Sequence, residues 1–314
     1  MDGLAGSHPL LLSPTADRRV PQRSLRSAIS CVGVGVHSGR RATLTLRPAR
    51  AGTGLLFRRT DIGLDFPARF DRVVDTRFCT VLGAGDPPVR LGTVEHLSAA
   101  LAGWGVDNVL AEIDGPELPI LDGSAAPFVF LIDCAGVVDL DAERPEIEVL
   151  RPVRVEDGAA FAELRPAGPG GGFGLSLSID FAAAAIGRQA LSLRLTPEAF
   201  RRELAGARTF TEASAVAALR EAGLAQGGTL ENAVVVDGAR VLNPGGLRMA
   251  DEFVRHKLVD AVGDLALAGA PIRGRFRAHR SGHTLNNRLL RALFADPAAW
   301  RWTTDTLPAL SAAA

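Results

Sequence analysis

The segment Arg255-His256-Lys257-Leu258-Val259-Asp260-Ala261-Val262-Gly263-Asp264 carries four side chains capable of chemistry at helical spacing. At about 100° per residue, with His256 at zero, Asp260 falls near ~40°, Asp264 near ~80° and Lys257 near ~100°. Leu258, Val259, Val262, Leu265 and Ala266 fall between about 180° and 300°, so one helix would bury an apolar back and present His, Asp, Asp and Lys in a narrow arc. A solvated polar face has the same pattern. The i, i+4 spacing of His256 and Asp260 can also put two ligands on one cation, and a further ligand is needed to decide.

His96, in Thr93-Val94-Glu95-His96, can be that ligand. Two His and one carboxylate leave a position for water on a zinc ion, as in catalytic rather than structural sites, although the same donors accept iron. Glu95 beside the ligand is free to take a proton as general base. Taken alone, Glu-His is a common helix-surface dipeptide. His283, in Ser281-Gly282-His283, opens a later helix whose dipole would favour the neutral ring, whereas a carboxylate such as Asp264 would favour the cation. Charged, it could act as a general acid; otherwise it is a hydrogen-bonding residue at a helix end.

These side chains need elements to hold them. Alternating or β-branched runs at 25–34, 41–47, 54–59, 78–82 and 108–113 read as strands. Thr93 can cap a helix to about residue 104, and Ser124 a second to about residue 135. After a polar stretch at 139–145 that suits a linker, strands are expected near 146–155, 173–181 and 189–195. Thr196-Pro197-Glu198 then starts a helix, and Asp237-Gly238 turns a hairpin. A long helix over 251–268 ends at Gly269 and Pro271, followed by a strand at 272–279 and a helix over 283–294. Helix–strand–helix thus occurs twice, each time after a block of strands, which predicts an α+β chain of two similarly built domains with a site between them. The expected divisions are a flexible leader at 1–22, domain I at 23–140, domain II at 146–300 and a tail at 301–314.

Composition narrows the partners. The chain has 314 residues, 35 Lys and Arg against 35 Asp and Glu, and 47% apolar content, which suits a globular protein of about two domains. With no net charge it has no general hold on nucleic acid or anionic lipid, so a charged partner must be bound locally. No apolar run approaches a membrane span, no signal-peptide pattern opens the chain, and Cys31, Cys79 and Cys134 form no CxxC. A cytoplasmic protein with reduced thiols is expected. Gly33-Val34-Gly35-Val36-His37-Ser38-Gly39 lacks the GxGxxG order and reads as a hairpin turn. GxSxG and HExxH are both absent.

Thr93–Leu97, Asp107-Asn108 and Pro119–Phe128 together resemble the zinc-dependent UDP-3-O-acyl-N-acetylglucosamine deacetylases of lipid A biosynthesis. The resemblance continues in order through Gly33–Gly39, Ala207-Arg208-Thr209-Phe210, Asp251–Lys257, Asp260–Asp264 and Ser281-Gly282-His283, covering about residues 23–300. It implies zinc held by His96, His256 and Asp260, Glu95 activating the attacking water, and His283 acting as a charged acid supported by Asp264. Thr209 would hydrogen-bond the oxyanion, and Lys257 and Phe210 would contact substrate. The product would be a free 2-amine on the sugar, plus acetate. The implied partner is a small acylated UDP-amino sugar, bound by a monomer without nucleic acid or stable membrane insertion.

Three positions depart from the family pattern. Thr211-Glu212 stands where the family has glycine and an aromatic, Leu164 where some members stack a phenylalanine on uracil, and Arg280 where lysine is common. Two competing readings share the fold: a non-catalytic binding protein for sugar nucleotides or lipid precursors, and a zinc hydrolase for another amide.

Overall fold

A computed structural model describes residues 20–86 and 88–304. It is α+β, with helices α1 (Glu95–Trp104), α2 (Ala126–Ala135), α3 (Pro197–Ala199), α4 (Ala213–Glu221), α5 (Glu252–Ala266) and α6 (His283–Phe294) packed against several sheets. The first large sheet runs Ile29–Val34, Arg41–Pro48, Val109–Ile113, Leu55–Arg59, Leu64–Pro67. Its central strand, Val109–Ile113, lies antiparallel to Arg41–Pro48 and parallel to Leu55–Arg59. The second sheet repeats this plan over Val153–Asp157, Ala160–Arg165, Ile272–His279, Phe173–Asp180 and Arg188–Leu195, again with one antiparallel and one parallel neighbour at the centre. Ile147–Val149 and Trp300–Trp302 extend it.

Each central strand is the middle member of a helix–strand–helix unit, α1 and α2 around Val109–Ile113, α5 and α6 around Ile272–His279. A small three-stranded sheet precedes each unit: Val73–Asp75, Val81–Ala84 and Val89–Leu91 before α1, then Phe210–Glu212, Val234–Asp237 and Arg240–Val241 before α5. The doubled pattern is therefore a doubled topology. Val94 at the start of α1, Leu97 and Leu101 within it, and Leu258, Val259 and Val262 of α5 are all buried. Each such side chain contributes roughly 1.5–3 kcal/mol through removal from water.

Several elements differ from their expected form. Thr93 does not cap α1. Its φ is +58° and its hydroxyl donates to Glu117 at 2.9 Å, so the cap position passes to Val94 and the helix starts one residue later, at Glu95. Ser124 lies one residue outside the cap of α2, accepting from the Ala126 amide at 3.2 Å. Residues 139–145 are largely not a linker: Val137–Glu143 is a strand paired with Pro21–Leu25. The alternating carboxylates of Asp139, Asp141 and Glu143 belong to an exposed-edge strand, where charge is ordinary. Strand pairing therefore begins at Pro21, inside the stretch expected to be a leader, and Arg301 and Trp302 pair with Glu148 and Ile147. Residues 1–19 of that leader and 305–314 of the tail lie outside the described residues. The runs at 25–34 and 146–155 each split in two, the second at Pro152, which cannot donate to a ladder. Thr196 caps α3 as expected, accepting from the Ala199 amide at 3.1 Å, and Gly238 turns the expected hairpin. Among the described residues no helix is long and apolar enough to cross a membrane.

Candidate active site

The polar arc of α5 is not solvated. His256, Asp260 and Asp264 are 2%, 5% and 2% exposed, as buried as the apolar residues behind them. They face the start of α1, where Glu95 and His96 are 4% and 3% exposed. Buried charge at this density is costly unless every group has a partner.

His96, His256 and Asp260 each aim one donor atom at a common point, the three atoms lying within 4.8 Å of one another. His256 Nδ1 lies 3.0 Å from the Ala207 carbonyl. A proton there leaves the Nε2 lone pair facing Asp260 Oδ1 at 3.2 Å. Two electron-rich atoms at that distance need a proton or cation between them. His96 Nδ1 is buried without a partner, and its Nε2 is 3.7 Å from Asp260 Oδ1, beyond hydrogen-bond reach. Burial also pushes the His96 ring toward its neutral, ligating form against the pull of Asp260. A ligand set of two neutral imidazoles and one carboxylate fits a divalent metal. Asp260 is held well below the ordinary carboxylate range, against its burial, chiefly by the Lys257 ammonium. Lys257 Nζ donates to Asp260 Oδ2 at 2.9 Å, leaving the other oxygen for the cluster.

Glu95 Oε2 accepts from the Thr80 amide at 3.1 Å. In the metal-free protein burial lifts its carboxyl to about 8, with Asp264 and Asp260 adding to the rise and His283 opposing it. Across the site His283 Nδ1 lies 2.9 Å from Asp264 Oδ2. Burial alone would lower the His283 pKa, but Asp264, Asp260 and Glu95 outweigh it and raise the ring to about 9. The alternatives left open at the start of α6 thus resolve toward the cation. Asp264 also accepts from Thr80 Oγ1 at 2.5 Å and Asn286 Nδ2 at 2.8 Å, which fixes its carboxylate.

Glu95, His96, Thr209, Phe210, His256, Lys257, Asp260 and His283 all line one cavity of about 800 Å³. Asp264 stands behind His283. Arg280 lines the same space, and Phe181, Val216, Leu219, Leu230 and Val235 give it an apolar flank. Thr209 is placed by its backbone: its amide donates to the Gly123 carbonyl at 2.8 Å, and its carbonyl accepts from the Val234 amide at 2.7 Å. Gly123, with φ of +83°, lies so close to Asn232 that a Cβ would stand 2.1 Å from that residue's carbonyl oxygen. The Leu121-Asp122-Gly123 turn thereby anchors the threonine. Arg208 and Glu252 form a buried pair at 2.8 Å that ties the same segment to the start of α5.

Leu164 is fully buried and pairs with Val153 and Phe276 within the sheet. It has no path to a ligand, so the position compared with a base-stacking aromatic is not part of the cavity. Sequence reasoning also missed Thr80 and Asn286, short polar residues with no distinguishing spacing. It passed over His37, which lines the cavity with a buried Nδ1 that has no partner. One signal was available and unused: Lys257 is the only lysine in the sequence, every other basic residue among the 35 Lys and Arg being an arginine.

The family model for UDP-3-O-acyl N-acetylglycosamine deacetylase (LpxC) matches residues 22–295. The chain belongs to this family. Among its deacetylase relatives, UDP-3-O-acyl-N-acetylglucosamine deacetylase of Aliivibrio fischeri is 49% identical over 289 residues, covering 91% of this chain and 93% of the relative. The enzymes of the same name from Vibrio parahaemolyticus and Idiomarina loihiensis are 48% and 49% identical over the same length, with the same coverage. As a member of the deacetylase family, the chain has a clustered His96, His256 and Asp260 consistent with a metal-dependent hydrolase.

Proposed function

We propose that the protein hydrolyses the acetamide of UDP-3-O-(3-hydroxyacyl)-N-acetylglucosamine, releasing acetate and leaving the free 2-amine, a committed step of lipid A biosynthesis. The observation that carries this reading is the convergence of His96, His256 and Asp260 beside Glu95 and His283 in one cavity, in a chain of the deacetylase family. A zinc ion held by these three residues would polarise the acetamide carbonyl and ease deprotonation of water. Lys257 holds Asp260 Oδ2 and keeps that carboxylate ionised and oriented. Glu95 takes the proton from the attacking water as its oxygen bonds to the acetamide carbon. Thr209 donates to the carbonyl oxygen as negative charge develops there. His283, held cationic by Asp264, delivers a proton to the amide nitrogen as the C–N bond breaks, so the amine leaves neutral rather than as an anion.

The apolar flank from Val216 to Val235 suits the acyl chain, and Phe210 and Lys257 suit the sugar nucleotide. The paired acid and base favour catalysis over the binding-protein reading, since recognition alone needs neither a base beside a metal cluster nor a cation locked to Asp264. Incubating the zinc-loaded protein with the acylated UDP-amino sugar tests the proposal. Acetate and amine should appear in equal amounts, and chelation should abolish both. A folded, metal-loaded protein that releases no acetate would overturn it, and faster release from an unrelated acetamide would favour the other hydrolase reading.

A further inference from the structure

On the face of the second sheet turned away from α5 and α6, the alternation of strand residues sets out a field of arginines. Along the central strand Ile272, Gly274, Phe276 and Ala278 point inward while Arg273, Arg275 and Arg277 are exposed. In register beside them, Gly174 lies between Arg275 and Arg194, and Ser176 between Arg277 and Ser192. The floor between the guanidinium groups is thus glycine and serine, and a shallow groove of about 440 Å³ runs over it, bordered by Arg165, Arg275 and Arg277.

Four carboxylates share this face, and each is already paired. Glu148 binds Arg301 at 2.6 Å and Glu163 binds Arg165 at 2.8 Å. Glu156 binds Arg154 at 2.5 Å and Asp180 binds Arg188 at 3.4 Å. What remains is Arg194, Arg273, Arg275 and Arg277. Arg194 and Arg275 each reach one backbone carbonyl, of Gly170 and Pro166, and none of the four has a carboxylate partner among the described residues. In a chain whose formal charge sums to zero, this is a local excess of about four positive charges on one open sheet.

We propose that this face docks on an anionic lipid surface. Strand residues rise about 3.3 Å each, so the row from Arg273 to Arg277 runs about 13 Å, with Arg194 two strands to its side: a span longer than one phosphate that matches several headgroups side by side. The aromatic rings on this face are engaged, Phe161 beneath the Arg154 guanidinium 3.8 Å from its centroid and His279 bonded through Nδ1 to Ser178 Oγ at 2.8 Å, so a free stacking platform for single-stranded nucleic acid is missing. The groove shares no lining residue with the catalytic cavity, so a surface docked over it would leave the cavity's own walls free for an amphiphilic substrate. The attachment is electrostatic and reversible, without insertion.

The test uses the full-length, zinc-loaded protein and co-sedimentation with vesicles of phosphatidylcholine alone or with 30 mol% phosphatidylglycerol. The parent should bind the anionic vesicles at low salt, bind the neutral ones weakly, and lose binding as salt rises. In the variant Arg273→Thr/Arg275→Thr/Arg277→Thr, which keeps strand-forming residues, partitioning should fall about a hundredfold or more. A charge-matched variant, Arg41→Ser/Arg50→Ser/Arg72→Ser, should bind like the parent, and the activity of both on dissolved substrate should be unchanged. Equal binding by parent and threonine variant, no binding by the parent, or retention of an oligonucleotide in preference to vesicles would each overturn the proposal. Acetate release is measured separately, so loss of the proposed activity and loss of docking are distinguishable.

Discussion

A Cβ built on Gly263 would lie 2.0 Å from the carbonyl oxygen of Glu95. The two helices that carry the proposed metal ligands therefore meet backbone to backbone, and hydrogen is the only side chain that fits between them. In an exposed helix Gly→Ala gains about 1 kcal/mol. Here the sign reverses, because overpacking at such a contact costs about 1–3 kcal/mol and pushes His96 away from Asp260. Gly263→Ala should lower the urea midpoint and weaken metal binding together. A variant more stable than the parent would show that the helices can part without cost.

His283 and Asp264 give a titration with a definite direction. The ring is raised to about 9, so its contribution to stability is fully present below its unfolded value of about 6.5 and is lost as pH climbs through about 9. In metal-free protein, NMR titration of His283 should have its midpoint near 9. Asp264→Asn removes the main attraction while burial persists, and the midpoint should fall to about 6.5 or lower. A midpoint unmoved by that substitution would disconnect the pair.

Lys257→Arg should behave as a disruptive change, although arginine is the basic residue at every other Lys or Arg position of the chain. The ammonium sits part-buried 2.9 Å from Asp260 Oδ2, where a planar guanidinium is too broad to replace a compact point charge. Turnover should drop at least tenfold, with metal affinity weakened. Full activity in the arginine variant would show that only charge matters at this position.

The Arg208–Glu252 pair is 10% and 0% exposed at its side chains. Arg208→Ala leaves a buried carboxylate that keeps its backbone donors, the amides of residue 208 at 3.0 Å and Arg248 at 2.7 Å, but loses its countercharge, and it should cost about 3–5 kcal/mol in chemical denaturation. Replacing both residues with apolar side chains of similar volume should recover much of that loss. A near-neutral single substitution would mean that water reaches Glu252.

The helical arc of α5 was legible in the sequence because its period and its apolar back are local properties of one element. The repeat of helix–strand–helix was legible for the same reason. What spacing alone left open was whether the arc faced water or protein, since burial of His256, Asp260 and Asp264 depends on α1, some 160 residues earlier. Thr93 failed as a cap because a tertiary hydrogen bond to Glu117 overrides its local preference. Residues 139–145 failed as a linker because their partner strand, Pro21–Leu25, lies at the other end of the first half. Thr80 and Asn286 carry no pattern at all, and only the fold brings them to Asp264.

In the proposed reaction two neighbours on α1 divide the labour, His96 holding the metal and Glu95 moving the proton. Measuring zinc content and acetate release together on Glu95→Ala tests this directly. The variant should carry the parent's complement of zinc, since Glu95 is not in the ligand cluster, while turnover falls by about 10²–10⁴. Turnover equal to the parent's at full zinc occupancy, or loss of the metal itself, would contradict the assignment.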